Sequence, residues 1–157
     1  MNEILWLEKG DTQTPFPSAF DEYEDPNGLL AIGGDLSVER LLLAYRSGIF
    51  PWFEQDQPIL WWSPDPRAVL YPDQIKISRS LAKTLRRKHF TTSINQSFAE
   101  VISACAAPRR YSSDTWITNE MQKAYIKLHK QGHAHSIEVW DLEGELVAGL
   151  YLSLIHI

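Results

Sequence analysis

Four prolines, Pro51, Pro58, Pro64 and Pro66, divide the stretch from Gly48 to Arg67, and the chain's densest set of large aromatic residues stands among them. A proline fixes its own φ and offers no backbone N–H, so no helix or central strand can run through this region. Phe50, Trp52, Phe53, Ile59, Leu60, Trp61 and Trp62 must therefore pack as aromatic loops and short extended pieces. A helix predicted over Val38–Ser47 gives them a surface. Ser37 can accept a bond from the free N–H groups of its first turn, and Gly48 can adopt the left-handed conformation that ends it. Leu41, Leu42 and Tyr45 make its apolar face, and Glu39 and Arg40 are expected in water. Trp52, Phe53, Trp61 and Trp62 then have two uses open to them. They can wall an apolar pocket or stack on an unpaired base, or they can form the core of a small domain.

Little regular structure is expected over Met1–Gly34, where Pro15, Pro17 and Pro26 restrict the backbone. Asp25–Pro26–Asn27–Gly28 reads as a tight turn before the short apolar run Leu29–Ile32. Gly33–Gly34–Asp35 lacks the Lys and Ser/Thr of a P-loop and the spacing of a dinucleotide site, so neither is assigned. Ser63–Pro64–Asp65–Pro66 marks a boundary, which makes residues 1–65 a small aromatic-rich N-terminal domain and 66–157 a second unit. In the second unit Ala68–Tyr71 reads as a strand, with Ile75–Ile77 and Phe90–Ile94 extended. Helices are predicted over Arg79–Lys88, Gln96–Ala106 and Asn119–Gln131, with Ser78 and Thr118 as caps. Ser136–Trp140 and Glu145–Tyr151 form a hairpin. The fold class is α+β with an antiparallel element.

Charge is unevenly spread. The net charge is −5, yet residues 1–65 hold 3 Lys and Arg against 12 Asp and Glu, while residues 66–157 hold 12 against 8. The basic excess gathers at Lys76, Arg79, Lys83, Arg86, Arg87 and Lys88. Arg79, Lys83 and either Arg86 or Arg87 share one helix face, at a spacing that suits a phosphate backbone or simply an ordinary solvated face. Arg109–Arg110 adds a second small patch. Trp116 sits in a polar stretch, where it can line a pocket or lie as a lid over helix packing. His133 and His135 alternate toward one side of a strand, with no third ligand beside them to hold a metal. Glu138 shares a face with Ser136 and Trp140, and solvent is its expected environment. Cys105 falls in an apolar helical series and is expected to be a buried, inert thiol. The single cysteine excludes a disulfide framework. No stretch approaches the ~18 apolar residues of a membrane span, and the N-terminus lacks the pattern of a signal peptide. Cytoplasm is the expected location, with no membrane partner.

Several segments, taken together, carry more than composition does. Pro26–Asn27–Gly28–Leu29–Leu30–Ala31, Gly33–Gly34–Asp35–Leu36–Ser37, Gly48–Ile49–Phe50–Pro51–Trp52–Phe53 and Ile59–Leu60–Trp61–Trp62–Ser63–Pro64–Asp65–Pro66–Arg67 resemble the leucyl/phenylalanyl-tRNA–protein transferase family in order and spacing. So do Ile77–Ser78–Arg79–Ser80, Thr115–Trp116–Ile117–Thr118 and Gly132–His133–Ala134–His135–Ser136–Ile137–Glu138–Val139–Trp140. The likeness spans about Phe16–Tyr151.

That resemblance implies a small N-terminal domain followed by a partial GNAT-like acyltransferase domain. The implied reaction moves Leu or Phe, less readily Met, from aminoacyl-tRNA to proteins beginning with Arg or Lys, marking them for degradation by the N-degron route. Leu-tRNA, Phe-tRNA and such acceptor proteins are the implied partners. No metal or nucleotide cofactor is implied, since the tRNA ester already carries the activation. Trp52 and Trp116 match family aromatics near the 3′ adenosine and aminoacyl end of the donor. Lys76, Arg79, Lys83, Arg86 and Arg87 match the tRNA-facing helix. The family's catalytic groups come largely from a Gly–Glu–Ser–Met–Phe-type segment and a later Asp-x-Gln stretch, neither of which this sequence contains. After Gly149–Leu150–Tyr151 the family continues with Gly and another strand, whereas this chain ends Leu152–Ser153–Leu154–Ile155–His156–Ile157. The expectation is an N-terminal fragment with an exposed, aggregation-prone sheet edge. The alternatives are a donor-binding fragment without turnover and a small-molecule N-acetyltransferase, which would want a glycine loop for acetyl-CoA.

Overall fold

The computed structural model describes residues 4–18, 26–108 and 115–153. The Arg109–Arg110 pair and the tail 154–157 lie outside them. Two sheets organise the chain. The first has the order β1 (Leu5–Leu7), β2 (Leu29–Gly33), β4 (Leu60–Trp62), β3 (Phe50–Pro51), with β1 parallel to β2 and the other pairs antiparallel. Helix α1 (Val38–Arg46) lies between β2 and β3 in sequence. The second sheet is antiparallel, in the order β5 (Thr91–Ile94), β6 (Ala134–Trp140), β7 (Leu146–Ser153). Helices α2 (Arg79–Arg87), α3 (Phe98–Ala106) and α4 (Asn119–Lys130) complete an α+β protein.

The helix caps follow the sequence. Ser37, Ser78 and Thr118 each accept a bond from the N–H three residues on, which satisfies a donor that the first turn leaves free. The strands depart from expectation in two places. The N-terminal stretch is more ordered than its prolines imply, because Leu29–Gly33 pairs with β1 on one side and β4 on the other. Conversely, no strand forms at Ala68–Tyr71 or Ile75–Ile77. A 3-10 turn at Pro72–Gln74 separates them, and Val69, Leu70, Ile75 and Ile77 remain exposed with no strand to pair against.

One cluster of buried residues joins the two sheets. Leu7, Leu30, Leu41, Ile49 and Trp61 belong to it from one side, and Phe98, Ile102, Met121 and Leu128 from the other. Arg40 is buried in it at 0% exposure, against the expectation that it meets water. Its guanidinium donates to the Asp11 and Thr14 carbonyls, 2.6 Å to Thr14. It also lies 3.3 Å from the Asp11 carboxylate and 5.2 Å from the centroid of Phe16. The planar five-donor group thus ties the 11–16 segment to α1. Hydrogen bonds from Thr14 and then Gln13, with a smaller contribution from Arg40, hold the Asp11 pKa at about 2.

Where α1 meets α4, the Tyr45 and Tyr125 hydroxyls are hydrogen-bonded to each other, with Tyr151 edge-on to Tyr125 at 5.5 Å. Burial pushes the Tyr45 pKa up to about 12, against hydrogen bonds from Tyr125 and Ser153 that pull it down. Burial likewise raises Tyr125 and Tyr151. Three close approaches require glycine, that of Gly33 (φ +89°) to the Leu7 carbonyl among them. At Gly28 (φ +87°) a Cβ would stand 2.5 Å from Pro64 Cα, and at Gly149 it would stand 2.8 Å from the Val101 side chain that carries α3 across β7.

Arg40→Ala should cost about 1–3 kcal/mol in urea unfolding, because it leaves the part-buried Asp11 and Thr14 carbonyls without their donor. An unfolding midpoint unchanged by the substitution would refute the tie. The tyrosine pKa values are raised above their unfolded value, so the neutral hydroxyls contribute stability in full below pH ~10, and this is lost as pH rises toward 12. Absorbance titration at 295 nm should therefore find Tyr45, Tyr125 and Tyr151 protonated until the fold opens; their ionisation near pH 10 in the folded protein would contradict the buried cluster.

Candidate functional site

Two adjacent tryptophans on one strand must face opposite ways. In β4, Trp61 turns inward, fully buried, and its indole N–H donates to the Gly33 carbonyl at 2.9 Å. Its ring packs on Phe16 at 5.0 Å. Trp62 turns outward, opposite Phe50 of β3, and its indole N–H donates to the Trp52 carbonyl at 2.8 Å. The Trp52 N–H donates to the Leu60 carbonyl at 2.9 Å. Trp52 is thus held by its backbone while its ring stays 53% exposed, tilted against Trp62 at 6.1 Å.

Trp116 approaches from the segment that leads into α4. Buried Ile117 anchors it, its N–H bonded to Thr115 Oγ1 at 3.2 Å, and the Thr118 cap follows at once. The result is a cleft of about 990 Å³ with Trp52, Trp62 and Trp116 on its walls, Phe53 and Leu60 beside them, and Glu54, Gln55, Asp56 and Gln57 at the polar side. Indole faces stack on flat ligands. The two carboxylates at the polar side disfavour phosphate beside them, so the cleft suits a planar base held with its phosphates turned away.

The basic residues of the sequence reading stand elsewhere. Arg79, Lys83, Arg86 and Arg87 lie on α2, with Lys76 just before it, and α2 buries none of its residues. Among the described residues none of these cations lines the cleft. The structure therefore brings Trp52 and Trp116 together and leaves the cations as a separate exposed face. No group of three His, Cys, Asp or Glu able to hold a metal occurs among the described residues, His133 and His135 included. Cys105 is half-buried.

Glu138 corrects the sequence reading: it faces the interior at 0% exposure. Its carboxylate accepts from Ser93 Oγ and Ser136 Oγ, both at 2.5 Å, and from the Ser97 N–H at 3.2 Å. Ser97 begins α3 without a side-chain cap, so Glu138 takes the N–H that a capping-box glutamate would take, from a strand 41 residues away. Trp140 Nε1 donates to Ser93 at 2.8 Å and extends the network. Burial raises the Glu138 pKa, but hydrogen bonds from Ser136, Ser93, Ser97 and Gln96 outweigh it and hold the carboxyl below its ordinary value.

Fold and cleft together define an α+β protein of two sheets about a shared core, with an open tryptophan-walled cleft beside it. Its sequence matches the leucyl/phenylalanyl-tRNA protein transferase family over residues 69–156, and the N-terminal domain of that family over residues 34–65. The chain belongs to this family. It is 60% identical over 148 residues to the leucyl/phenylalanyl-tRNA–protein transferase of Pseudomonas fluorescens SBW25, covering 94% of this chain and 64% of that protein. It is 57% identical to the Pseudomonas syringae pv. syringae B728a protein of the same name, over 94% of this chain and 63% of that one. For the Shewanella piezotolerans protein the identity is 56%, over 96% and 63%. The chain thus spans less than two thirds of the length of the curated relatives it matches.

Because the folded pKa of Glu138 is depressed, its contribution is present above the unfolded carboxyl value and lost as pH falls through the folded one. Glu138→Gln should cost about 1–3 kcal/mol at pH 7 and flatten the acid limb of stability. An acid limb identical to wild type would remove the network from that role.

Proposed function

We propose that this chain carries the donor-binding part of an aminoacyltransferase that moves Leu or Phe, less readily Met, from aminoacyl-tRNA to the N-terminal Arg or Lys of acceptor proteins. In this reading residues 1–65 form the small N-terminal domain and 66–157 part of a GNAT-like domain. The enzyme works in the cytoplasm, in the N-degron route, without a metal or nucleotide cofactor. The observation that carries the reading is the cleft that places Trp52 and Trp116 together in a chain of this family.

Trp52 and Trp116 hold the unpaired terminal adenosine by stacking, which gives affinity without reading sequence. Lys76, Arg79, Lys83, Arg86 and Arg87 meet the phosphate backbone further along the donor. The acids at the cleft's polar side disfavour phosphates beside them, so the two surfaces take different parts of one molecule. Chemically, a neutral α-amine of the acceptor attacks the ester carbonyl, the C–O bond breaks, and the tRNA hydroxyl leaves with a proton. The ester supplies the driving force, so no ATP enters. Bringing the amine and carbonyl into register accounts for much of the acceleration expected of such a site.

The deciding experiment incubates the purified chain with radiolabelled Phe-tRNA and a peptide beginning with Arg. Transfer would place sufficient catalytic groups within these 157 residues. Binding of Phe-tRNA in preference to deacylated tRNA, without transfer, would fit a donor-binding part alone. The absence of both transfer and binding, from a chain shown to be folded, would overturn the reading. Trp52→Ala or Trp116→Ala should each weaken donor binding by about 1–3 kcal/mol. Arg86→Ala with Arg87→Ala should lower the slope of log K against log salt by roughly 1–2, and an unaltered slope would exclude these two residues from phosphate contact.

A further inference from the structure

Trp52 occupies an awkward position for a residue that must present a flat surface. Strand β3 contains only Phe50 and Pro51, so the ladder with β4 ends one residue before Trp52. The Trp52 N–H still reaches the Leu60 carbonyl, but its own carbonyl meets no strand partner. Phe53 after it is buried in the core and anchors the backbone, and exposed Glu54, Gln55, Asp56 and Gln57 follow, so the segment that holds Trp52 gives its ring nothing to rest on. A half-exposed aromatic at a strand end, followed by a polar loop, would ordinarily sample several orientations.

Trp62 occupies the missing ladder position. Its indole N–H donates to the Trp52 carbonyl at 2.8 Å, within the range of a good N–H···O bond. Its ring lies 6.1 Å from the Trp52 ring at 59°, the tilted arrangement that aromatic pairs favour. Trp62 can do both because it is itself fixed in the sheet, paired with Leu29 of β2 and Phe50 of β3. Trp61 beside it donates inward to Gly33, so each indole N–H of the pair closes a backbone carbonyl, one inside and one at the cleft.

We propose that Trp62 is a positioning residue of the cleft: its N–H holds the Trp52 backbone through the carbonyl, its ring restrains the Trp52 ring by the tilted contact, and the two together keep Trp52 where a flat ligand stacks between it and Trp116. The inference deepens the proposed function and rests on it for the identity of the ligand, although the bracing of Trp52 is a property of the free protein. The brace removes rotamer freedom before binding, so less entropy is lost when the ligand arrives. Arg79, Lys83 and the other cations take no part in it.

The test has a ligand-free arm and a ligand arm, both on the full chain labelled with 5-fluorotryptophan. Trp52→Phe and Trp62→Phe assign their own fluorine signals by loss. In Trp62→Phe the Trp52 signal should shift and broaden, while Trp6 and Trp140 stay in place. An unchanged Trp52 signal would overturn the proposal whatever the ligand does. If Trp62→Phe loses the fold, benzothienylalanine at position 62 retains the bicyclic shape without the N–H, and the same signal decides. In the second arm an amide-linked analogue of phenylalanyl-adenosine is titrated. Trp62→Phe should bind it about threefold to tenfold more weakly, the loss of one hydrogen bond. The salt slope for tRNA binding should remain parallel to wild type. If wild type fails to bind the analogue, the donor reading fails while the fluorine result still decides the brace. If wild type and Trp62→Phe bind it equally, Trp62 does not position the cleft for this ligand.

Discussion

The burial of one indole, that of Trp61, organises everything around the cleft. Its strand is the only one in the first sheet to pair with both β2 and β3, so its register fixes theirs. Trp61 determines that register by filling the core and satisfying its N–H on the Gly33 carbonyl, since a buried indole without a partner would be costly. A slip of one residue would bring Trp62 inside and carry Trp61 out. Strand alternation then does the rest: with Trp61 inside, Trp62 must stand at the surface, where it meets Trp52. The same residues that make the core of the N-terminal part therefore set the geometry of the site. The aromatic cluster is divided between core and cleft, on opposite faces of one strand.

Two buried charges tie together segments that are far apart in the chain. Arg40 draws the 11–16 segment onto α1 through carbonyls and one carboxylate. Glu138 draws the β5–α3 corner onto β6 through two serines and a backbone N–H. Each group meets several partners, which lets an ionised side chain remain inside without a large unmet desolvation cost. Such ties act on the site indirectly. Arg40 stands on the helix that leads into β3 and Trp52. Glu138 anchors the helix whose Phe98 and Ile102 join the core against which α4, and hence Trp116, is seated.

What could be read from the sequence was the local part. A helix cap needs only the residue and the N–H three positions on, so Ser37, Ser78 and Thr118 were legible. A strand exists only with a partner, so Leu29–Gly33 reads from sequence as less than the strand it is, and Ala68–Tyr71, apolar but with no neighbouring strand among the described residues, reads as more. Arg40 and Glu138 look like surface residues because all their partners except Ser136 lie 26 to 45 positions away. That Trp52 and Trp116 belong to one cleft is suggested by the likeness of short motifs to a family, not by periodicity. The bond from Trp62 to the Trp52 carbonyl depends on the register of β4, which no local pattern encodes.

The inward position of Glu138 also has an outward consequence. A strand cannot turn both faces to the core, so placing Ser136 and Glu138 inside puts Ile137 and Val139 on the other side. Register aligns Ile137 with Ile94 on β5 and Leu150 on β7, and all three are exposed. The usual binary pattern is thus reversed at the centre of β6, with Ser136 and Glu138 inside and Ile137 and Val139 outside. Shifting β6 by one residue would cover these two, but it would expose the network that starts α3 and strand Trp140 from Ser93. The fold keeps the polar network.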